Sequence, residues 1–210
     1  MSEPFSGIIR DEDALRQIVK PPHPRARDKQ IDHLDHNCRE FIARAPFVLV
    51  GTTNTDGTGD VSPKGGPPGF VTVLDEHRLA FGELPGNGRV DGYRNLLANP
   101  AIGLIFLIPG LGETLRVNGQ GYVLDDPELL DRCSVDGRRP KLVLGVVVRE
   151  AFIHCAKALR RAQLWEARPD LTGMPTVACM LVDHAGIDGD PGGERTAAAL
   201  ETAYATTLWN

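Results

Sequence analysis

Two cations lie where this chain breaks its regular structure. Lys64 falls within Ser62-Pro63-Lys64-Gly65-Gly66-Pro67-Pro68-Gly69, and Arg89 follows Pro85-Gly86-Asn87-Gly88. Proline removes a backbone donor and glycine permits open backbone angles, so each segment can bring a ligand close to the main chain. A cation beside the exposed N–H groups of a helix start is phosphate-binding chemistry, because the donors and the helix dipole both favour an anion. Each signal alone has an ordinary alternative. Lys64 reads equally as a surface lysine, and spacing by itself favours Arg89 as a solvated residue on a strand-to-helix turn.

The elements that must position these cations follow from pattern. Arg78 to Gly82 reads as a short strand. After the turn, Val90, Tyr93 and Leu97 recur at helical spacing, with Asn87 a good capping residue and Asn99-Pro100 a stop. Ala101 to Ile108 is almost wholly apolar, as a strand buried on both faces is. Beyond the turn Pro109-Gly110-Leu111-Gly112, the segment Thr114 to Leu124 alternates. Leu115, Val117, Gly121 and Val123 share one face; Thr114, Arg116, Asn118, Gln120 and Tyr122 share the other. That polar face lines a ligand cleft or a subunit interface, or simply faces water.

Other chemistry-bearing residues carry less. His33 and His36 fall on an expected helix from Asp28 to Ala45, close enough to share a metal, but no third ligand is near and a solvated face is the better reading. Cys38, Cys133, Cys155 and Cys179 are scattered without CxxC or metal-ligand spacing, as reduced structural thiols are. The pair His154-Cys155 does not make a nucleophile, because adjacent strand residues point to opposite faces.

The rest of the chain reads as hairpins and appended helices. Phe47 to Thr53 and the segment after Asp60 form a hairpin around Asp56-Gly57, with the returning strand expected to break near Pro63, at a site or an edge. Val71 to Leu74 pairs with Arg78 to Gly82, and Leu142 to Val148 is a second near-continuous apolar strand. Helices are expected over Asp11 to Lys20, from Asp125 to near Cys133, Pro175 to His184 and Gly193 to Trp209, with a flexible loop from Ala185 to Gly192. Many short strands with few helices indicate an antiparallel barrel with helical additions, not a doubly wound parallel sheet.

Composition sets the outer bounds. The 210 residues are 41% hydrophobic and 24% charged, which fits one globular domain with appendages. A net charge of −5 argues against generic nucleic-acid or anionic-membrane binding, while leaving room for a local basic pocket. No apolar run reaches bilayer-spanning length and Met1-Ser2-Glu3-Pro4 lacks signal-peptide character, so a cytoplasmic protein is expected.

Taken together, Ser62-Pro63-Lys64-Gly65, Pro85-Gly86-Asn87 with Arg89, Asn99-Pro100, Glu113 to Gly119 and His154 to Leu159 resemble the pyridoxamine 5'-phosphate oxidase-like FMN-binding family, in particular a bacterial subgroup of it. The motifs occur in the expected order over roughly Asp28 to His184. The resemblance implies an N-terminal extension over residues 1–27, a split β-barrel FMN-binding domain over 28–184, and a C-terminal loop and helix over 185–210. It also implies a homodimer holding FMN at its interface.

By the same resemblance Lys64 and Arg89 are phosphate cations, and Ser62 and Asn87 hydrogen-bond the cofactor. Arg116 and Asn118 lie near it, and Arg160 and Trp165 reach it from the partner chain. The chain departs from the subgroup at Leu84 and Gly88, where a basic residue is usual, at Gly92, where serine is frequent, and at Ala162-Gln163. The C-terminal signature of true pyridoxamine phosphate oxidases is not recognisable, so vitamin processing is not expected. The implied activity is FMN-dependent oxidation or reduction of a small molecule. The alternatives are a flavin-binding or sensing protein without turnover, or an enzyme of this fold using deazaflavin or haem.

Overall fold

The computed structural model describes residues 3–166 and 168–209. Its seven strands are β1 Phe47–Thr53, β2 Gly59–Gly65, β3 Val71–Val73, β4 Arg78–Gly82, β5 Ala101–Leu107, β6 Thr114–Leu124 and β7 Val143–His154. They form one sheet in the order β2-β1-β5-β6-β7-β4-β3, with every pairing antiparallel. The sheet stays open, with β2 and β3 as its edges. This is the expected antiparallel barrel architecture in its split form.

Around it lie α1 Glu12–Ile18, α2 Pro24–Asp28, α3 His36–Arg44, α4 Asp91–Ala98, α5 Pro127–Arg132, α6 Lys157–Arg161, α7 Val177–Ala185 and α8 Glu194–Thr207. Of the expected helix from Asp28 to Ala45 only the second half forms, as α3, while α2 ends at Asp28 and residues 29–35 are not helical. Asp35 supplies the reason: its side chain accepts from Cys38 N–H at 2.8 Å and caps a new helix there, while Ile31 bridges to Ala151. His33 therefore lies off the helix, bonded to Asp32 at 2.9 Å, and no metal-ligand group forms among the described residues.

Two strands also differ from pattern-based expectation. β5 buries only alternate residues, Ile102, Leu104 and Phe106, and leaves Gly103, Ile105 and Leu107 partly open. The apolar run is continuous because both faces are apolar, not because both are covered. β2 runs unbroken through Pro63, which an edge strand tolerates because one row of its donors has no neighbour to serve. By contrast, the first half of β7 is covered on both sides. Leu144, Val146 and Val148 join the main core with Phe81, Leu104, Phe106 and Val117, while Val143 packs with Ala80, Leu130 and Cys133.

The C-terminal helices pack on each other, and the loop between them is tied down. Asp190 is buried and accepts from Arg195 N–H, Thr196 N–H and the Thr196 hydroxyl, the last at 2.7 Å, while Cys179 Sγ donates to Gly192 O. Trp209 returns to the main core, with Arg138 over its ring. No helix among the described residues is long and apolar enough to cross a membrane.

Candidate functional site

The edge strand β2, the inner face of β1 and the start of α4 enclose a cleft of about 230 Å³. Ser62 and Lys64 reach it from β2, Val50 and Thr52 from β1, Asn87 and Arg89 from the loop, and Tyr93 and Leu96 from α4. A second hollow of about 270 Å³ shares Ser62, Lys64 and Asn87 and continues under Leu84-Pro85-Gly86. Four of the residues expected at a cofactor thus come together, although the two pairs lie on separate segments of chain.

The helix start is built differently from expectation. Asn87 does not cap α4; its Oδ1 accepts from Arg89 N–H at 3.1 Å and fixes the loop. The cap position is Val90, in the left-handed region at φ 54° with no side-chain hydrogen bond to the helix. A β-branched residue there is strained, and the first N–H groups of α4 are left without a side-chain cap at the cleft wall. Gly88, at φ +70°, needs glycine's freedom for the same sharp loop. The helix is docked by a buried hydrogen bond from Asn95 Nδ2 to Thr52 Oγ1 at 3.0 Å.

The electrostatics of the cleft were not legible in its motifs. Lys64 Nζ lies 2.6 Å from Glu83 Oε2 and 5.3 Å from the centre of the Tyr93 ring. The Tyr93 hydroxyl donates to that same Glu83 oxygen; burial, then this bond and charge, push the phenol pKa far up. Arg89 Nε lies 2.7 Å from Asp91 Oδ2, and the Asp91 bond and charge, with Asp60 beyond, raise the guanidinium pKa further. Both cations are therefore matched by carboxylates, and Asp60 adds another on the wall. Glu83, Asp60 and the Tyr93 hydroxyl are the residues that motif reading missed. A signal existed only for Glu83, which directly follows β4 and precedes the Pro-Gly turn by one residue.

The other expected residues lie elsewhere on one chain. Arg116 and Asn118 are on the outer sheet face, lining a depression of about 220 Å³ with Leu49, Gly51, Val61 and Ile105. Asn118 donates to Glu150 and also lines a groove that shares Thr52, Asp60 and Val61 with the cleft. Arg116 stacks over the Phe152 ring at 5.1 Å. Arg160 and Trp165 sit at the β5–β6 turn, where Trp165 Nε1 donates to Leu111 O at 2.8 Å and Arg160 lies near Gly112. That turn is at the Phe47 end of β1, away from the cleft.

His154 neighbours Phe152, and burial, then the charges of Arg116 and Lys29, lower its pKa. Cys38 and Cys133 are buried, and burial pushes the Cys38 thiol up to about 12, so neither is a nucleophile.

Comparison with known proteins gives one family and several similar solved structures. Residues 34–155, more than half of the chain, match the family model described as pyridoxamine 5'-phosphate oxidase. No curated protein matches. Among solved structures, HupZ of Group A Streptococcus is similar at 17% identity over 57% of this chain and 92% of that one, with a TM-score of 0.46. An F420 reductase is similar at 23% identity over 55% and 94%, with a TM-score of 0.38. HutZ, the haem storage protein from Vibrio cholerae, is similar at 11% identity over 58% and 94%, with a TM-score of 0.39. None of these three reaches 0.5, so they add no argument about the site.

Proposed function

This chain belongs to the pyridoxamine 5'-phosphate oxidase family, and from that premise we propose an FMN-dependent oxidoreductase acting on a small molecule as a homodimer. The observation that carries the reading is the cleft itself. It gathers Ser62, Lys64, Asn87 and Arg89 beside the uncapped start of α4, which is the donor set a flavin phosphate needs. The fit is conditional on one exchange: Lys64 and Arg89 must turn from Glu83 and Asp91 to the phosphate.

In this reading Lys64 and Arg89 hold the phosphate, and Ser62 and Asn87 donate or accept at the polar rim. Flavin, when bound, supplies reversible one- and two-electron chemistry, and the protein supplies binding, orientation and electrostatics. Val50 and Leu96 give the cleft its apolar wall. The partly open outer face, with Val61 68% exposed beside Leu49 and Ile105, is where a second copy would dock. Such a copy would bring Arg160 and Trp165, and with them Arg116 and Asn118, to the cofactor. The cleft lining contains no His, Cys or Met among the described residues, and Tyr93, the lining residue of a type that can ligate haem iron, has its hydroxyl engaged by Glu83, which favours flavin over haem within one chain.

The test is an absorbance spectrum of purified protein, taken before and after incubation with FMN and gel filtration. A retained oxidised-flavin spectrum on a dimer is expected, with oxidation of a nicotinamide donor on addition. A protein that binds flavin and never turns over would be a sensor or carrier. One that releases FMN and instead retains deazaflavin or haem overturns the cofactor assignment.

A further inference from the structure

The two cations of the cleft differ strongly in exposure, while their carboxylates differ little, Asp91 being 35% exposed and Glu83 27%. Arg89 is a surface residue, its side chain 74% exposed, and its pair with Asp91 is screened by water. Lys64 and Glu83 are only 23% and 27% exposed, so their pair lies in a medium of lower dielectric. Glu83 is also fixed from behind. Its N–H donates to Leu142 O at 2.8 Å, and the preceding Gly82 is pressed so close to Pro140 that an added Cβ would lie 2.6 Å from that ring. The Tyr93 hydroxyl holds the carboxylate oxygen that Lys64 uses.

An anion arriving at Lys64 therefore meets a neighbouring negative charge that cannot easily withdraw. Either Lys64 leaves Glu83 part-buried with only the Tyr93 hydroxyl, or the phosphate settles beside the carboxylate; both oppose binding of a dianion. Asp91 imposes a smaller penalty on Arg89, because that guanidinium is 74% exposed and water screens the pair when a ligand arrives. An uncharged ligand in the same cleft escapes the effect.

The geometry points to Glu83 as the specificity-determining residue of the cleft, the group that, by holding Lys64, suppresses its preference for a phosphorylated flavin over riboflavin. This rests on the flavin reading above and adds to it a discrimination that no motif of the chain encodes. The residue acts through Lys64 and so is a positioning residue.

The experiment is titration of FMN and of riboflavin, followed by flavin fluorescence, into the wild type, Glu83→Gln, and the double variant Lys64→Met/Glu83→Gln. Glutamine keeps an acceptor for Tyr93 while removing the charge. In the wild type, FMN is expected to bind no more than about tenfold better than riboflavin, the factor that ~1.4 kcal/mol represents. In Glu83→Gln the FMN preference rises by about tenfold or more while riboflavin affinity stays within about twofold. In the double variant that gain disappears, as a pairwise coupling requires.

A preference that Glu83→Gln leaves unchanged, or a gain that survives loss of Lys64, overturns the inference and leaves the flavin reading standing. A wild-type FMN preference of about a hundredfold or more overturns it even if Glu83→Gln does not fold. Failure of every form to bind either flavin overturns the reading and the inference together.

Discussion

The cleft and the outer face of β6 and β7 use the same residue types to opposite ends. In the cleft each cation has a carboxylate at hydrogen-bond distance, Lys64 with Glu83 and Arg89 with Asp91. On the outer face Arg116 and Lys29 lie over the Phe152 ring, at 5.1 and 5.5 Å, and neither forms an ion pair among the described residues. Lys29 instead donates to Ile153 O. The result is a charge-matched hollow on one side of the sheet and a cationic patch on the other. A positive residue in a motif thus says little about local potential until its neighbours are known.

The difference is broken most directly by removing one cation from each region. Lys64→Met strands Glu83 in a part-buried site and is expected to lower stability by about 1–3 kcal/mol, read from urea midpoints. Arg116→Met should change stability by less than about 0.5 kcal/mol, because the lost ring contact is offset by relief of like charge. Equal losses in the two variants would mean that the pairing in the cleft does not matter energetically.

Asn95→Ala leaves buried Thr52 without its amide donor and loosens α4 from β1, with an expected loss of about 1–2 kcal/mol. Hydrogen exchange should locate the loosening in α4, sparing the β6–β7 pair. Val90→Asn should act in the other direction. Asparagine tolerates the left-handed backbone that valine strains, and a gain of about 0.5–1 kcal/mol is expected in thermal melts. A loss would show that the valine side chain, not its backbone, is what the loop requires.

The smallest effect concerns His154. Its folded pKa lies below the ordinary 6.5, through burial first and then the charges of Arg116 and Lys29. The unfolded chain therefore takes up this proton at higher pH than the folded one. Stability falls as pH drops from about 6.5 to the lowered folded value, and this group adds no further loss below it. Nuclear magnetic resonance titration of Arg116→Met should find the His154 pKa moved back upward; an unmoved value would leave burial and Lys29 as the causes.

Local chemistry made much of the fold legible. Asp56-Gly57 fixed the first hairpin, Asn99-Pro100 ended α4, and alternation in β6 separated Leu115 and Val117 from Arg116 and Asn118. The late start of the expected helix from Asp28 to Ala45 was less legible, because apolar spacing runs on through residues 29–35, which are not helical, and the Asp35 cap marks the true start. Alternation likewise could not tell that Arg116 and Asn118 face away from the cleft that Lys64 lines. Strand parity assigns two faces without saying which one the sheet closes over.

By itself the sequence determined the antiparallel hairpins and the family, since turn residues act over short stretches of chain and motif order marks the family; it pointed to Ser62, Lys64, Asn87 and Arg89 through the resemblance, and folding brings those four to one cleft. Only the tertiary structure decided that Glu83 and Tyr93 meet at Lys64 and that Arg160 and Trp165 lie at the far turn. The physical reason is range. Backbone propensity is set by a residue and its near neighbours, whereas the charge a ligand meets is the sum over every group that folding carries into the same few ångströms.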